Sequence, residues 1–369
     1  MRKIGYCIIV LISILQFIPA DVKATADIQV SAQSAVLMDQ ETGRVLFEKN
    51  ADEPSLIASI TKIMTAILAI ESGKMDDKVN ISDNAIRTEG SSIYLKKEDE
   101  ISLEDLVYGL MLRSGNDAAV AISEYVGGSE EGFAYLMNDK AKWIGMTNSH
   151  FDNAHGLDSD THYSTAYDMA LLTKYAMDNE DYQKISGTTS YKSSSRDYPW
   201  KNKNKLLTQM YKYSSGGKTG YTKAAGRTLV STAEKNGQTL IMVTLDAPND
   251  WQDHMRLFEW GFENYPLQNI QDQSTFEIQL DQEERLTASI DETIHYPLTD
   301  EEAESIEYKN YLSDTVGAFD RIGKRVFYLN DEPITTTSIY LGEPPSEERS
   351  NLWTGIWQQF QHFLGDQRD

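Results

Sequence analysis

The pattern of hydrophobic and polar residues predicts helices packed on an antiparallel sheet over most of the chain. Ala35–Asp39 and Gly43–Phe47 have the pattern of a β-hairpin. A second hairpin is predicted where Asn236-Gly237, a strong two-residue turn signal, joins Arg227–Ala233 to Thr239–Leu245. Helical patterns occupy Ile57–Ile70, Leu103–Leu112, Ala118–Val126, Tyr167–Met177 and His254–Phe262. This order of elements predicts an α+β fold.

Beyond Tyr265 the pattern changes to short alternating segments. Hydrophobic residues alternate with polar ones from Phe276 to Leu280, and similar pieces cover Val326–Leu329 and Thr336–Leu341. These segments predict strands with one wet face. We therefore expect a small β-rich domain over residues 270–345, after a larger domain over residues 25–266.

The last residues predict an amphipathic helix. Within residues 346–369 the apolar side chains fall on one helical face, opposite glutamines: Leu352, Trp353, Ile356, Trp357, Phe360, Phe363 and Leu364. A face this aromatic is typical of a helix that lies in a membrane interface, and we expect a peripheral membrane contact here. A helix that docks on its own protein is the alternative.

The first residues have the pattern of an export signal. Arg2 and Lys3 precede a mostly apolar run from Ile4 to Ile18, and Ala24 ends a plausible cleavage site. Residues 1–24 are therefore expected to be a signal peptide, with an uncleaved anchor as the alternative. The single cysteine, Cys7, lies in this segment, so the exported chain would have no thiol and no cysteine chemistry. An exported chain of this kind is expected at the outer face of the plasma membrane, in the cell-wall compartment.

The charge of the chain excludes one class of partner. There are 57 acidic and 34 basic residues, which gives a net charge of −23. A surface with this excess repels phosphate backbones, so broad electrostatic binding to nucleic acid is not expected.

Candidate chemistry begins at Ser59-Ile60-Thr61-Lys62, near the start of the most apolar helix. Residues at i and i+3 share a helix face, so the hydroxyl of Ser59 and the amine of Lys62 can meet. Burial favours the neutral amine, which can accept the serine proton and activate the nucleophile. Ser215-Gly216-Gly217-Lys218 matches the same pattern, but no helix is expected in a glycine run.

A second candidate is Ser114-Gly115-Asn116, between two predicted helices. This junction would place a hydroxyl and an amide at one rigid point, where they can relay a proton and hold a substrate. The alternative is an ordinary helix N-cap, for which serine and asparagine are favoured. Ser82-Asp83-Asn84 is a similar triplet, but it leads into a polar stretch with no apolar helix to support it.

The third candidate is Lys218-Thr219-Gly220, which opens a predicted strand over Lys218–Thr222. An open strand edge can pair with a peptide substrate, and glycine lets the two backbones approach closely. The lysine and the threonine can bind a carboxylate. The alternative is an ordinary surface strand that follows a turn.

The order and spacing of the three segments make the combination specific. Ser114 follows Ser59 by 55 residues, and Lys218 follows Ser114 by 104 residues. This trio is typical of penicillin-binding proteins and class A β-lactamases. The chain resembles the D-alanyl-D-alanine carboxypeptidases, which are low-molecular-mass penicillin-binding proteins, from about residue 35 to 265. Further segments also look like the family: Thr88–Ser92, Ser114–Ala119, His155–Asp158 and Lys218–Thr222.

The resemblance implies a penicillin-binding, β-lactamase-like transpeptidase fold and a role for each motif residue. Ser59 would attack the bond between two terminal D-alanines, with Lys62 as the base. Ser114 would pass the proton to the leaving amine, and Asn116 would hold a substrate amide. The remaining roles fall on one strand: Lys218, Thr219 and Thr222 would bind the terminal carboxylate, Gly220 would allow close approach, and the N–H groups of Ser59 and Tyr221 would form the oxyanion hole.

The resemblance also implies peptidoglycan stem peptides and β-lactam antibiotics as partners, and no metal or other cofactor. His150, His155 and His162 leave a zinc site as a minor alternative, although their loop setting favours turn packing. Some family members carry an arginine before the last helix that reads the carboxylate. The corresponding stretch here, residues 248–253, has none, so specificity is expected to be looser.

Three other functions remain open from the residues. A β-lactamase would share the trio, but class A enzymes add a glutamate for deacylation, and no similar Glu-x-x-x-Asn set lies between Asn116 and Lys218. A DD-endopeptidase, which cuts cross-links, would need the same residues. A non-catalytic scaffold that binds peptidoglycan would not need an intact trio.

Overall fold

The computed structural model describes residues 28–279, 285–313 and 321–342. The expected signal peptide (1–24) and the expected amphipathic helix (346–369) lie outside the described residues. Both remain predictions. Within the described part, no helix is long and apolar enough to cross a membrane.

The elements follow one another in the order that the hydrophobic pattern predicts. The strands are β1 (Ser34–Asp39), β2 (Val45–Lys49), β3 (Lys78–Val79), β4 (Ile101–Ser102), β5 (Ser190–Tyr191), β6 (Trp200–Lys201), β7 (Ser214–Thr222), β8 (Gly226–Lys235), β9 (Gln238–Leu245), β10 (Leu267–Gln271), β11 (Ser274–Gln279), β12 (Arg285–Ile290), β13 (Ile294–Pro297), β14 (Glu307–Leu312), β15 (Arg321–Leu329) and β16 (Glu332–Leu341). The α-helices are α1 (Lys62–Glu71), α2 (Asp83–Arg87), α3 (Leu103–Arg113), α4 (Asn116–Gly127), α5 (Glu130–Ile144), α6 (Ala166–Met177), α7 (Glu180–Ser186), α8 (Asp250–Asn264) and α9 (Asp300–Ala303).

The main sheet is antiparallel, with the strand order β2-β1-β9-β8-β7. Both predicted hairpins are confirmed within it. Asn236 and Gly237 have φ values of 54° and 80°, as a hairpin turn with two left-handed central residues requires. In this order β7 is an edge strand, so among the described residues one side of its backbone carries no partner strand.

The helices enclose a large core on this sheet. Helix α1 packs against α3, α4 and α6, which explains why it is apolar on almost every side. The mixed architecture confirms the predicted α+β class. We call residues 31–264, which contain this sheet and its helices, the catalytic region.

The start of α1 differs from the prediction. A helix was expected from Ile57, but Ala58–Thr61 form a 3₁₀ turn and the α-helix begins at Lys62. Ala58 has φ 49°, a left-handed conformation that an L-residue in a helix does not adopt, so the regular helix cannot include it. Side chains at i and i+3 eclipse in a 3₁₀ turn, so Ser59 and Lys62 still share one side.

A second five-stranded sheet lies in the described residues between 267 and 342, which we call the C-terminal region. Its strand order is β11-β12-β16-β15-β14, and β10 pairs separately with β13. A small apolar cluster joins its strands: Ile278, Ala288, Ile290, Ile322 and Ile339. Arg44 connects the two regions, since it donates to the Pro297 carbonyl and the Glu302 carboxylate and stacks on the rings of Tyr265 and Tyr296.

Candidate active site

Ser59 and Lys62 form a close pair at the junction of the 3₁₀ turn and α1. Lys62 Nζ lies 3.0 Å from Ser59 Oγ. The lysine is fully buried, whereas Ser59 is half-buried and reaches the surface of the site. Burial, together with the positive charge of Lys218, lowers the pKa of Lys62 well below its usual value. The neutral amine is therefore accessible where a solvated lysine would be charged.

The other contacts of Lys62 orient its lone pair. Nζ lies 2.7 Å from Asn116 Oδ1 and also contacts the carbonyl oxygen of His155. Asn116 Nδ2 donates to the Glu89 carbonyl, which fixes the amide so that its oxygen faces the lysine. Both oxygens are acceptors, so each takes one N–H of a neutral amine. The lone pair is then left for the hydroxyl of Ser59.

Ser114 and Lys218 form a second pair. Lys218 Nζ donates to Ser114 Oγ over 3.1 Å and to the Thr219 carbonyl over 2.7 Å. Ser114 links α3 to α4 with φ 62° and ψ 35°, a left-handed conformation for a residue that is not glycine. Such conformations concentrate at functional sites, because surrounding structure must hold them. The similar triplet Ser82-Asp83-Asn84 has a structural role instead, since the Ser82 hydroxyl caps α2 by accepting the Ala85 N–H.

A loop over residues 88–95 is held against Asn116 by a buried carboxylate. Asp117 accepts the backbone N–H groups of Ile93 and Leu95 and the hydroxyl of Ser92. The Asn116 N–H donates to the Ser91 carbonyl over 2.7 Å. These bonds satisfy a buried charge and fix the loop beside the base. Sequence reasoning noted residues 88–92 only as family-like and missed this support.

The edge strand β7 lies directly beside Ser59. A side chain at Gly220 would place its Cβ 2.9 Å from the Ser59 backbone nitrogen, so only glycine permits this approach. Thr219 is partly buried, and the Tyr221 side chain is 67% exposed. The Thr222 hydroxyl donates to Asp158 Oδ1 over 2.8 Å, so in this structure it is already bonded to a carboxylate of the protein. The backbone of β7 at Gly220 thus lies against the backbone nitrogen of Ser59.

Lys203, which the sequence analysis did not single out, acts electrostatically on both Lys62 and Lys218. Burial, together with the positive charge of Lys203, lowers the pKa of Lys218 to about 7. Lys203 also lowers the pKa of Lys62, and its ammonium lies 3.2 Å from Ser91 Oγ. Its side chain is exposed, so solvent screens part of this effect. No motif marks Lys203 in the sequence.

The loop over residues 152–162 completes the candidate site. His155 contributes its backbone carbonyl to Lys62, and burial lowers the pKa of its own imidazole to about 3. No group of three or more metal-ligating side chains occurs within residues 28–279, 285–313 and 321–342. The predicted residues thus form two hydrogen-bonded sets, Ser59–Lys62–Asn116 and Ser114–Lys218, beside the strand that carries Gly220.

Comparison with known proteins agrees with this geometry. The sequence model of the family described as D-alanyl-D-alanine carboxypeptidase, peptidase family S11, matches residues 21–249. The chain is 36% identical over 280 residues to the D-alanyl-D-alanine carboxypeptidase DacF of Bacillus subtilis, which is 72% of each chain. It is 39% identical over 249 residues to DacC of Escherichia coli, covering 63% of this chain and 62% of that one.

Solved structures with the same fold cover more of the chain. Penicillin binding protein 5 from Haemophilus influenzae has a TM-score of 0.73 at 26% identity, over 86% of this chain and 98% of that one. The carboxypeptidase DacD from Francisella tularensis has a TM-score of 0.69 at 28% identity, over 86% and 94%. Both alignments extend beyond residue 249 into the C-terminal region. The chain belongs to the D-alanyl-D-alanine carboxypeptidase family of serine peptidases.

Proposed function

We propose that the protein removes the terminal D-alanine from peptidoglycan stem pentapeptides through an acyl-enzyme on Ser59. One observation carries the proposal: the buried amine of Lys62 lies 3.0 Å from Ser59 Oγ, and its two other contacts are acceptors. A neutral amine held in this way is a general base aimed at a nucleophile. The short distance joins Lys62 Nζ to Ser59 Oγ, and burial makes the neutral form of that same amine accessible.

Acylation would proceed by proton transfer and addition. Lys62 accepts the hydroxyl proton as Ser59 Oγ bonds to the carbonyl carbon of the penultimate D-alanine. The negative charge that develops on the carbonyl oxygen is stabilised by the N–H groups of Ser59 and Tyr221, which have greatest effect in the transition state. When the C–N bond breaks, the proton passes through Ser114 to the amine of the departing D-alanine. Water then hydrolyses the ester and regenerates Ser59.

Substrate binding would use the edge of β7. An extended peptide can add to an unpaired strand edge, and Gly220 lets its backbone reach Ser59. Lys218, with Thr219 and Thr222, would bind the terminal carboxylate. Thr222 must exchange its bond to Asp158 for that role. The Asn116 side-chain oxygen accepts from Lys62, and its Nδ2 donates one N–H to the Glu89 carbonyl. The second N–H of Nδ2 would donate to a substrate carbonyl.

We further propose that the enzyme is exported and acts in the cell-wall compartment, held at the outer face of the membrane by the helix expected over residues 346–369. The pattern of residues 1–24 and the aromatic face of the tail support this. β-Lactam antibiotics, which mimic the D-alanyl-D-alanine end, would acylate the same serine. No metal or other cofactor is required by the proposed chemistry.

Fluorescent penicillin tests the nucleophile. We expect a lasting covalent adduct with the protein and none with Ser59→Ala, while Ser215→Ala, which alters the competing motif, should label normally. Rapid turnover of the drug would instead identify a β-lactamase. A lack of labelling would favour a scaffold that binds peptidoglycan without cleaving it.

Free D-alanine released from a stem pentapeptide tests the base. We expect ready release by the wild type and a loss of about 10²- to 10⁴-fold in Lys62→Ala, the usual range for a general base. Release from the pentapeptide separates a carboxypeptidase from a DD-endopeptidase, which would act on cross-linked dimers instead. Equal release by the variant and the wild type would exclude Lys62 as the base.

A further inference from the structure

The turn that carries the nucleophile is held in an unfavourable conformation. Ala58, directly before Ser59, has φ 49° and is almost fully buried. A non-glycine residue keeps such a conformation only where its surroundings fix it. The orientation of the Ala58–Ser59 peptide matters for the proposed function, because it sets the direction of the Ser59 N–H, whose nitrogen lies beside Gly220 of β7.

The Ala58 carbonyl is held from two directions. Thr61 Oγ1, fully buried, donates to it over 2.8 Å. The loop over residues 152–162 packs on the same oxygen at Gly156, where an added Cβ would lie 2.0 Å from the carbonyl oxygen and 2.8 Å from Thr61 Oγ1. Gly156 has φ 81°, so glycine is required there for both space and conformation.

Thr61 is itself fixed by His162, which the proposed chemistry does not use. His162 Nε2 lies 2.8 Å from Thr61 Oγ1, and the histidine is 2% exposed. Its Nδ1 accepts the backbone N–H of Asp152 over 3.1 Å, so the neutral ring carries its proton on Nε2. The ring therefore donates to Thr61, and the Thr61 hydroxyl proton is directed to the Ala58 carbonyl.

We propose that His162 is a positioning residue: through Thr61 it fixes the left-handed Ala58–Ser59 turn and so aims the nucleophile and its N–H at the substrate. The proposal rests on the proposed function of Ser59. Three consecutive bonds carry it, from Asp152 to His162, to Thr61 and to Ala58. Burial lowers the pKa of His162 to about 4, so the donating tautomer persists at neutral pH.

The same loop acts on the base as well. His155 supplies its carbonyl to Lys62, and seven residues later His162 contacts the turn through Thr61. One loop thus contacts Lys62 itself and Thr61, which lies between the two members of the Ser59–Lys62 pair. A loss of the His162 bond should therefore slow acylation and leave the groups that perform it chemically intact.

The test is the rate of acylation by fluorescent penicillin in His162→Leu, Thr61→Val and the double variant. We expect each single variant to acylate about 10- to 100-fold more slowly, since small displacements of a nucleophile have effects of this size. The double variant should be no slower than the slower single variant, because both changes break one chain of bonds. His162→Gln, which keeps an N–H near the position of Nε2, should restore most of the rate.

The matched control is His150→Leu, the same change at an exposed histidine just before this loop, whose ring contacts the Thr161 carbonyl and the Asp152 carboxylate rather than Thr61. It should acylate at the wild-type rate. The proposal is overturned if His162→Leu acylates like the wild type, if the two single effects multiply in the double variant, or if His162→Gln is as slow as His162→Leu. Labelling of the wild type at Ser59 tests the proposed function separately, so the two can fail independently.

Discussion

The catalytic region and the C-terminal region bury charge very differently. In the catalytic region Lys62, Lys218, Asp117 and Asp253 are at most 2% exposed. Among the described residues of the C-terminal region, the most buried charged residue is Arg325, at 7% exposed. Every residue of β14 is exposed. Both regions are built on antiparallel sheets of five strands. The sheet by itself therefore does not create a site.

The difference lies in the depth of the core. Helices cover the main sheet of the catalytic region and exclude water from its buried lysines. The described residues of the C-terminal region instead form small apolar clusters. Desolvation shifts a lysine toward its neutral form, so a deep core is what suits Lys62 to the proposed role of base. A thin sheet leaves most of its charged side chains in contact with water, as on β14.

The largest difference in activity between the two regions is expected from variants at residues with a left-handed backbone conformation. Ser114 in the catalytic region and Asn330 in the C-terminal region have φ values of 62° and 51°. Glycine adopts this conformation freely, so both glycine variants should fold. Ser114→Gly removes the hydroxyl that contacts Lys218 and should slow D-alanine release by about 100-fold, the scale of a lost proton relay.

Asn330→Gly is the matched variant and should release D-alanine at the wild-type rate, because its conformation serves the turn between β15 and β16. Ser114→Ala should lose the same activity and also be less stable than Ser114→Gly, since alanine is strained at positive φ. Near-normal release by Ser114→Gly would remove Ser114 from the proton path.

A smaller effect is expected from the charge of Lys203. Its positive charge lowers the pKa values of Lys62 and Lys218, so Lys203→Met should raise both. In the proposed mechanism activity requires neutral Lys62, which would set the acidic limb of the pH profile. It also requires charged Lys218, which sets the alkaline limb. Both limbs of kcat/KM for D-alanine release should therefore move to higher pH.

Lys309→Met in the C-terminal region removes the same charge from an exposed side chain and should leave the profile in place. A shift of only one limb in Lys203→Met would mean that Lys203 acts on one lysine alone. A shift to lower pH would contradict the electrostatic argument.

The smallest effect on activity is expected where the two regions meet. Arg44→Ala removes the contacts to Glu302 and the Pro297 carbonyl, and should lower the free energy of unfolding by about 1–3 kcal/mol, as for other hydrogen bonds to charged groups. Acylation by penicillin should be unchanged. Denaturant unfolding and labelling of the same samples measure both. Slower acylation would show that the C-terminal region supports the site.

Much of the catalytic region could be predicted from local pattern. The Asn236-Gly237 turn, the apolar α1 and the three motif segments were identified from spacing and composition, and the competing motifs were set aside on their context. The boundary at Lys62 was missed because Ala58 carries no local signal for a left-handed conformation. Thr61 and His162 were also missed as partners, since 101 residues separate them.

The sequence by itself determined which side chains are available for chemistry, because hydroxyls, amines and helix periodicity follow from residue types and their order. The tertiary structure decided their reactivity. It removed water from Lys62, fixed the Asn116 amide through Glu89 and placed Lys203 where its charge acts on both lysines. Desolvation and long-range charge depend on neighbours that are distant along the chain, and no local pattern encodes those distances.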